Sequence, residues 1–493
     1  MSLTKKVLTV RILGKARKQR VRKLLCDLAH FRNLLIIFLE KYRQVYQETL
    51  LHESLLYALV SAKGYKGKHK KKVEEVFENV NRNEGLRSWI KLLKEQKERI
   101  GNPHFIQATI RQVLKDYKSF FASLKAFKRD HSKFLSQPRP PKPKKLRYLM
   151  NFSAEGNLNT FRRERDSILI RLKGKQRLKV KLPEEFPHRV SSVRLKFFGN
   201  DLFADVVYEV EAKNKQPKGD FVAGIDIGLD ELLSVVSDNP EVKSFIISGK
   251  EIKAFNQWFN KERAKLQSEV DKAKNEKKDT RELEVKLKVL SSHRKRWIED
   301  NFHKISRKLV DLLYQTGHKV IYIGKNALES KNGIKLGRKT NQEFGSIPFR
   351  KLVGMIKYKA RELGMEVVEV DESWTSKTSP FADIIKVQET KNKTLCSGRR
   401  ERNLFKDGIS NKVFHADLVG ALNIIRSGAK LLKLRFYDNL KVVFLKLCNP
   451  LKLKLVDLIY KVFPKSLWIG DSKQDLYPAG WTEILLQMNT FEN

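Results

Sequence analysis

The sequence has few cysteines and lacks long hydrophobic runs. Its 493 residues include three cysteines, Cys26, Cys396 and Cys448, which lie far apart and form no C-x-x-C pair. This spacing argues against a disulfide framework and is typical of a reducing cytosol. The longest apolar run near the start, residues 34–39, is too short to cross a bilayer, and the first residues show no signal-peptide pattern. We therefore expect a soluble, intracellular protein located in the cytoplasm, associated with the nucleoid if the source is prokaryotic.

Acidic residues are also scarce relative to basic ones. The chain has 101 Lys and Arg against 56 Asp and Glu, a formal net charge of +45. The excess runs through most of the chain, so a single basic tail does not explain it. Self-repulsion on this scale is tolerated when a polyanion neutralises it, which favours nucleic acid as the partner. A membrane surface is the weaker alternative.

The length allows about three domains of ~150 residues. Residues 1–14 predict a strand, and residues 15–135 carry apolar stripes at helical spacing. A Pro-rich basic connector begins at residue 136, and short alternating apolar runs separated by turn signals continue to residue 217. We predict a small β-barrel or sheet built from residues 1–14 and 136–217, with the barrel preferred, and residues 15–135 as a helical insert.

Strands and helices then alternate through residues 218–427, which predicts an α/β domain. Residues 428–493 carry an amphipathic leucine- and lysine-rich pattern, and we expect a helical extension of unknown role there. The predicted order is a strand around Asp226, an antiparallel pair of strands, a helical hairpin over 255–316, a strand at 318–323, a helix at 348–363, a strand at 366–370, and a helix that opens at Asp417.

Three carboxylates fall at the ends of these elements. Asp226 lies in the strand G-I-D-I-G, Glu372 follows the strand at 366–370, and Asp417 opens a helix. Taken singly, each has an ordinary explanation, such as a solvated strand end or a helix N-cap. Together they provide the oxygen ligands that Mg²⁺ prefers, and two such ions can clamp a phosphodiester displacement. We predict that Asp226, Glu372 and Asp417 are catalytic and bind Mg²⁺, with Mn²⁺ as a possible substitute.

The same segments resemble a known family. G-I-D-I-G-L around Asp226, T-S-K-T-S after Glu372, and H-A-D-L-V-G-A-L-N-I around Asp417 resemble the three split nuclease motifs of the TnpB family. These proteins are transposon-encoded, RNA-guided DNA endonucleases related to type V CRISPR effectors. By motif, the resemblance covers residues 218–426.

The resemblance implies a multidomain α+β protein. It implies an RNase H-like RuvC nuclease domain over 218–427, a wedge domain for the predicted β-barrel and a recognition domain for the helical insert. It also implies a guide RNA and a double-stranded target DNA as partners, and no membrane partner. The oligomeric state is not predicted.

The chain departs from the family pattern at the second acidic residue. Most members carry that acid where this chain has Gly324, and Glu372 stands in its place on the next strand. Adjacent strands lie about 4.8 Å apart, so a glutamate from the neighbouring strand can reach the same ion. Asp371 points to the opposite face, and Glu329 lies in a loop that would have to be ordered to reach the site. We therefore predict Glu372, and not Glu329, as the third ligand.

A second departure concerns zinc. The family's ribbon usually has two cysteine pairs between the T-S motif and the last aspartate. This chain has Ser379 and Pro380 near the first pair and Cys396 alone. One cysteine cannot build a four-ligand zinc site, so no zinc is expected.

Two alternative functions stay open. One is a guide-binding protein whose nuclease has decayed, which Gly324 supports and Glu372 argues against. The other is an unguided resolvase or transposase on the same fold. The long helical insert and the β-domain disfavour it, because a resolvase needs neither.

Overall fold

The structure is a computed structural model in which the described residues are 3–61, 70–144, 153–156, 159–184, 186, 188–198, 201–211, 215–325, 346–429 and 440–454. They belong to two compact units, Met1–Ala212 and Lys213–Asn493. Glu329, almost all of the basic loop over 331–346, and residues 455–493 lie outside the described residues. No helix among the described residues is long and apolar enough to cross a membrane.

The first unit begins with a strand and continues with five helices. Asn83 and Asn102 cap two of the helices, because their side chains accept hydrogen bonds from the backbone N–H groups of Leu86 and His104. Pro103 takes the first helical position of the last helix, where its missing N–H costs nothing. The helices are α1 (Lys15–Tyr46), α2 (Glu53–Ser61), α3 (Lys70–Arg82), α4 (Glu84–Ile100) and α5 (Pro103–Arg129).

The strands of this unit form two antiparallel sheets. They are β1 (Leu3–Ile12), β2 (Ser153–Gly156), β3 (Phe161–Arg163), β4 (Ser167–Arg171), β5 (Arg177–Lys181), β6 (Arg189–Phe198) and β7 (Asp201–Glu211). One sheet has the order β1-β7-β6-β2 and the other β3-β4-β5. The predicted single barrel is therefore replaced, among the described residues, by two sheets. Period-2 alternation predicts strands, but not which of them pair. The apolar residues of both sheets and of the helices form one continuous core.

A six-stranded mixed sheet forms the centre of the second unit. Its order is β12-β11-β8-β9-β10-β16, with β8, β11 and β12 parallel and β9 antiparallel to β8. Each strand and helix predicted from Asp226 to Asp417 has a counterpart in the structure. The strands are β8 (Phe221–Ile227), β9 (Glu231–Ser237), β10 (Phe245–Ser248), β11 (His318–Gly324), β12 (Glu366–Val370) and β16 (Leu451–Leu453).

Helices cover both faces of this sheet. Side chains of α6, α7 and α8 pack on one face, and those of α10 and α11 pack on the other. The helical hairpin predicted over 255–316 consists of α6 and α7, and α7 continues without a break to Gln315. The helices are α6 (Lys250–Asn275), α7 (Arg281–Gln315), α8 (Phe349–Glu362), α9 (Ile384–Thr390), α10 (Ala416–Ala429) and α11 (Leu440–Cys448).

Two parts of the second unit differ from the prediction. The nuclease domain was expected to end at residue 427, yet α11 packs on the sheet and β16 pairs in parallel with β10. The prediction missed this because β16 is only three residues long and follows a leucine-rich helix. A small antiparallel sheet of β13 (Gly398–Glu401), β14 (Leu404–Asp407) and β15 (Val413–His415) was also not predicted. Its strands are only three or four residues long.

Candidate active site

Asp226 lies near the end of β8, on the face that α10 covers. A Cβ atom on Gly420 of α10 would lie 2.8 Å from Asp226 Oδ2, which is too close for a side chain. A Cβ on Gly224 would overlap the carbonyl oxygen of Ala421. Two glycines, one on each element, thus let helix and strand approach so closely that the carboxylate of Asp226 rests against the helix backbone.

Asp417 is the second residue of α10 and lies beside Asp226. The Arg400 Nη2 atom donates a hydrogen bond of 2.6 Å to Asp417 Oδ1. Burial, and secondly the charge of Asp417, raise the pKa of Asp226 to about 7, while Arg400 opposes them. Burial likewise raises the pKa of Asp417 against the opposing effect of Arg400. Ionising both carboxylates therefore costs free energy, and a nearby cation would offset that cost.

Glu372 lies on the other side of Asp226, over Gly324. In the register of β11 and β8, Ile323 pairs with Ile225, which places Gly324 beside Asp226. A Cβ atom on Gly324 would overlap the Glu372 carboxylate. Glu372 thus fills the space that a side chain at position 324 would take. We call Gly324 and Glu372 the β11 flank.

Asp371 has a different environment from Glu372. It is exposed, and its Oδ1 atom accepts hydrogen bonds from Ser373 N at 2.9 Å and Ser373 Oγ at 2.7 Å. The carbonyl of Glu372 accepts from Thr375 N and Oγ1. Asp371 thus stabilises the turn after β12, and Glu372 is the residue of the two that reaches the strand of Gly324.

Side chains of α10 anchor the T-S-K-T-S loop that follows Glu372. Asn423 Nδ2 donates to the carbonyl oxygens of Thr375 at 2.9 Å and Thr378 at 2.7 Å, and it is fully buried. Arg426 donates to the carbonyls of Ser379 and Ala382. Because Asp417 is on the same helix, these bonds fix the loop of Glu372 relative to Asp417.

Two further side chains at this site were missed by the sequence analysis. Glu231 begins β9, which is antiparallel to β8, so it lies at the end of the sheet where β8 finishes. His415 ends β15, two residues before Asp417. One ligand atom from each of Glu231, His415 and Asp417 lies within 4.8 Å of the others. We call Glu231 and His415 the β9 flank.

The signal for Glu231 was present in the sequence. The strand after β8 was predicted as part of an antiparallel pair of strands. When that strand also runs antiparallel to β8, its first residue lies at the end of the sheet that holds Asp226. His415 had a weaker signal, its place two residues before Asp417. Arg400 had no signal that separates it from the many other arginines.

The other two predicted ligands, Asp417 and Glu372, lie on different sides of Asp226. Asp226 neighbours Asp417, and Glu372 lies one strand away over Gly324. Asp226, Glu372 and Asp417 are not a group whose ligand atoms all lie within 4.8 Å; among the described residues, that distance is met by Glu231, His415 and Asp417. Three carboxylates repel one another unless a cation intervenes, and Asp417 is drawn towards Arg400.

The donor set nonetheless fits a hard divalent cation. Asp226, Glu372 and Asp417 supply only oxygens, the ligands that Mg²⁺ prefers. The glycine at position 324 leaves room for the Glu372 carboxylate rather than for a second side chain.

Cys396 is the one cysteine between the T-S-K-T-S motif and Asp417. Cys396 is buried, and its carbonyl oxygen accepts a 2.7 Å hydrogen bond from Ser379 N. It belongs to no group of His, Cys and carboxylate side chains close enough to share an ion within the described part of the chain. The expected lack of zinc stays a prediction.

Family models match two segments of the chain. Residues 205–329 match the OrfB_IS605 model, described as a probable transposase. Residues 349–424 match the model of the Cas12f1-like TNB domain. Together these segments contain Asp226, Glu231, Gly324, Glu372, Arg400, His415 and Asp417, whereas Arg426 lies two residues beyond the second segment.

Curated relatives cover a smaller share of the chain. A TnpB-like protein, ORF457 of Acidianus two-tailed virus, is 30% identical over 220 residues, which are 43% of this chain and 42% of that protein. The TnpB-like protein MJ0751 of Methanocaldococcus jannaschii is 26% identical over 190 residues, 38% of this chain and 62% of that protein. The chain thus spans less than two thirds of the length of either relative.

Two solved structures also resemble the chain. A Cas12f1–sgRNA–target DNA complex aligns with 86% of this chain and 98% of that one, at a TM-score of 0.44 and 13% identity. A CRISPR-Cas12f ternary complex aligns with 85% and 86%, at a TM-score of 0.32 and 15% identity. Both TM-scores are low, and we infer nothing about this chain from them. The family-model matches and the TnpB-like relatives together support the assignment of this chain to the TnpB family.

Proposed function

We propose that the chain is an RNA-guided DNA endonuclease whose cleavage site is formed by Asp226, Glu372 and Asp417. The observation that carries this proposal is the relation of Glu372 to Gly324. The carboxylate lies where a side chain at position 324 would be, beside Asp226 on the neighbouring strand. An acid is therefore supplied to the position by a different residue, which favours an active nuclease over a decayed one.

Each residue has a definite part in this proposal. Asp226, Glu372 and Asp417 would hold Mg²⁺, which when bound supplies positive charge to the attacking and leaving oxygens of a phosphodiester displacement. Arg400 holds Asp417 in place and presents a guanidinium, a group that binds phosphate well. Asn423 keeps the loop of Glu372 on the same helix as Asp417.

Nucleic acid as a partner is supported by charge and by family. A net charge of +45 over 493 residues needs a polyanion, and the chain is assigned to the TnpB family. A guide RNA selects the target, and double-stranded DNA is the substrate. Binding through phosphates should weaken steeply with salt, because bound counterions are released on association.

Sequencing the RNA that copurifies with the full-length protein tests the proposal. A DNA duplex that matches the variable part of this RNA, embedded in a library of flanking sequences, is then incubated with the complex and Mg²⁺. We expect cleavage of the matched duplex next to one short flanking motif. A duplex with the matching segment scrambled is the control and should stay intact.

Other results identify the alternatives. If the matched duplex is bound and never cut, the chain is a guided binding protein with a decayed nuclease. If matched and scrambled duplexes are cut equally, it is an unguided nuclease. A protein that shows a clean protein spectrum at low salt, with no RNA, contradicts the guide itself.

A further inference from the structure

Glu231 and His415 form a buried pair that the proposed cleavage site does not use. Their side chains are 12% and 10% exposed, and His415 Nε2 lies 3.4 Å from Glu231 Oε1. Burial raises the pKa of the Glu231 carboxyl, but its contacts with His415, together with Asp417 and Lys452, lower that pKa overall. The pair is thus more deeply buried than a surface ion pair and adjoins Asp417.

An ordinary ion pair does not account for the polar atoms of this pair. Glu231 Oε2 and both ring nitrogens of His415 are buried and lack a hydrogen-bond partner among the described residues. The 3.4 Å contact with Glu231 does not have hydrogen-bond geometry. Leaving a buried polar group without a partner costs about 1–3 kcal/mol, so a structural ion pair would be expected to close these contacts.

A cation would satisfy the same atoms. One ligand atom from each of Glu231, His415 and Asp417 lies within 4.8 Å of the others, and the imidazole and the free carboxylate oxygen are the buried atoms that lack partners. Arg400 engages Oδ1 of Asp417, which leaves the second oxygen of that carboxylate for another partner.

We propose that Glu231, His415 and Asp417 form a metal site that does not include Asp226 or Glu372. This site selects a divalent transition-metal ion such as Mn²⁺ over Mg²⁺. The selectivity follows from the donor set. Mg²⁺ takes oxygen ligands and keeps several waters, whereas imidazole nitrogen suits first-row transition metals. A site with one nitrogen and two carboxylates therefore favours a first-row transition-metal ion over Mg²⁺, and Mn²⁺ is the probe for it because it can be counted by EPR. The proposal concerns binding and holds whether or not the chain cleaves DNA.

Mn²⁺ binding to the full-length protein, freed of nucleic acid at high salt, tests this site. Free Mn²⁺ is counted by its EPR signal, with Mg²⁺ as competitor. We expect a Mn²⁺ site that Mg²⁺ displaces only at about tenfold or greater excess over Mn²⁺. Loss of a supporting partner of a metal ligand already costs 10–100-fold in affinity, so Glu231→Gln and His415→Gln should each weaken Mn²⁺ binding by at least about tenfold.

Two control variants separate this site from its surroundings. His303→Gln changes an exposed histidine on α7, away from the β9 flank, and should leave Mn²⁺ binding unchanged. Asp226→Asn should abolish cleavage, if the chain cleaves, while the Mn²⁺ site persists. Failure of the cleavage proposal and failure of this one are thus seen in different assays.

A measurement on the unaltered protein decides the matter if a variant fails to fold. Pulsed EPR of the bound Mn²⁺ should show coupling to an imidazole nitrogen, and this coupling should vanish in His415→Gln. Bound Mn²⁺ without nitrogen coupling would overturn the proposal. So would Mg²⁺ competing as strongly as Mn²⁺, or Glu231→Gln and His415→Gln binding Mn²⁺ as the original protein does.

Discussion

Asp226 has chemically different neighbours on its two sides. On the β11 flank, a single carboxylate reaches across from β12 and lies over a glycine. On the β9 flank, a carboxylate is paired with an imidazole, and both are buried. The first flank offers oxygen alone and suits Mg²⁺; the second adds nitrogen and suits a transition metal. The two sides of one strand end can therefore hold different ions, with Asp417 adjoining both Asp226 and the β9 flank.

The largest effect is expected where both flanks meet. Asp226→Asn keeps the shape of the side chain and removes its charge. Removing one electrostatic group from an active site commonly costs about 10²–10³ in rate, and we expect cleavage to fall at least that far. Guided DNA binding should persist or tighten, because one fewer carboxylate repels phosphate. Gel-shift and cleavage assays on the same complex measure both, and a joint loss would indicate a folding role.

The same variant has a pH-dependent effect on stability. Burial and Asp417 raise the pKa of Asp226 from 3.8 to about 7. The folded state thus binds more protons than the unfolded state between these values, and stability falls as pH rises through that window. In chelator, Asp226→Asn should melt at a higher temperature than the original protein at pH 8 and at a similar temperature at pH 4. Equal melting temperatures at pH 8 would contradict the raised pKa.

The next prediction compares Glu372 of the β11 flank with Glu329, which follows β11 in the sequence. We expect Glu372→Gln and Glu372→Asp each to lower cleavage by about 10²-fold, since a displacement of about 1 Å can cost that much. Glu329→Gln should leave cleavage largely intact. If Glu329→Gln abolishes cleavage and Glu372→Gln does not, the assignment of the third ligand is wrong.

A position swap sharpens this test. Gly324→Glu alone should be harmful, because its side chain would overlap Glu372. Combined with Glu372→Ala, the overlap is removed and an acid returns to the strand beside Asp226. The double variant should recover part of the cleavage that Glu372→Ala loses, and no recovery would show that Glu372 has a role other than supplying this acid.

A smaller loss is expected from moving Asp226 without changing it. Gly420→Ala places a methyl group 2.8 Å from Asp226 Oδ2, and we expect cleavage to fall by about tenfold or more as the carboxylate shifts. Gly354→Ala is the matched control, since it lies within α8 and a Cβ there meets no atom within 4 Å. The control should be slightly stabilising, by up to about 1 kcal/mol. Equal cleavage by both variants would show that the position of Asp226 is not critical.

Arg400 predicts a shift in pH dependence. It lowers the pKa of both Asp226 and Asp417. The pKa of Glu231 is lowered instead by its contacts with His415. In Arg400→Gln both aspartates should need a higher pH to ionise, so the acidic limb of the cleavage profile should move upward. A profile that falls in height without moving would mean that Arg400 acts on the nucleic acid alone.

The comparison of the flanks also shows what the sequence could and could not predict. Asp226, Glu372 and Asp417 could be predicted as ligands because each lies next to the end of a strongly patterned element, and this assignment stays a prediction. Glu231 was overlooked because the antiparallel pairing of β9 with β8, which brings the first residue of β9 to the end of β8, was not predicted. Pairing that depends on long-range closure, such as β16 beside β10 or two sheets in place of one barrel, leaves no local pattern.

The smallest effect on cleavage is expected from a substitution of Lys446 on α11. This lysine contacts the turn between β9 and β10, at the opposite end of β9 from Glu231. Its Nζ atom is buried and donates to the carbonyl oxygens of residues 237, 239 and 242, at 3.0, 2.7 and 2.6 Å. Lys446→Met leaves these acceptors without that donor, which should cost about 1–3 kcal/mol of unfolding free energy. Lys454→Met, at an exposed lysine, should cost almost nothing. This turn and Glu231 are at opposite ends of β9. Unchanged Mn²⁺ binding and cleavage in Lys446→Met would show that the sheet itself positions the β9 flank. Loss of both would show that the position of the β9 flank depends on α11.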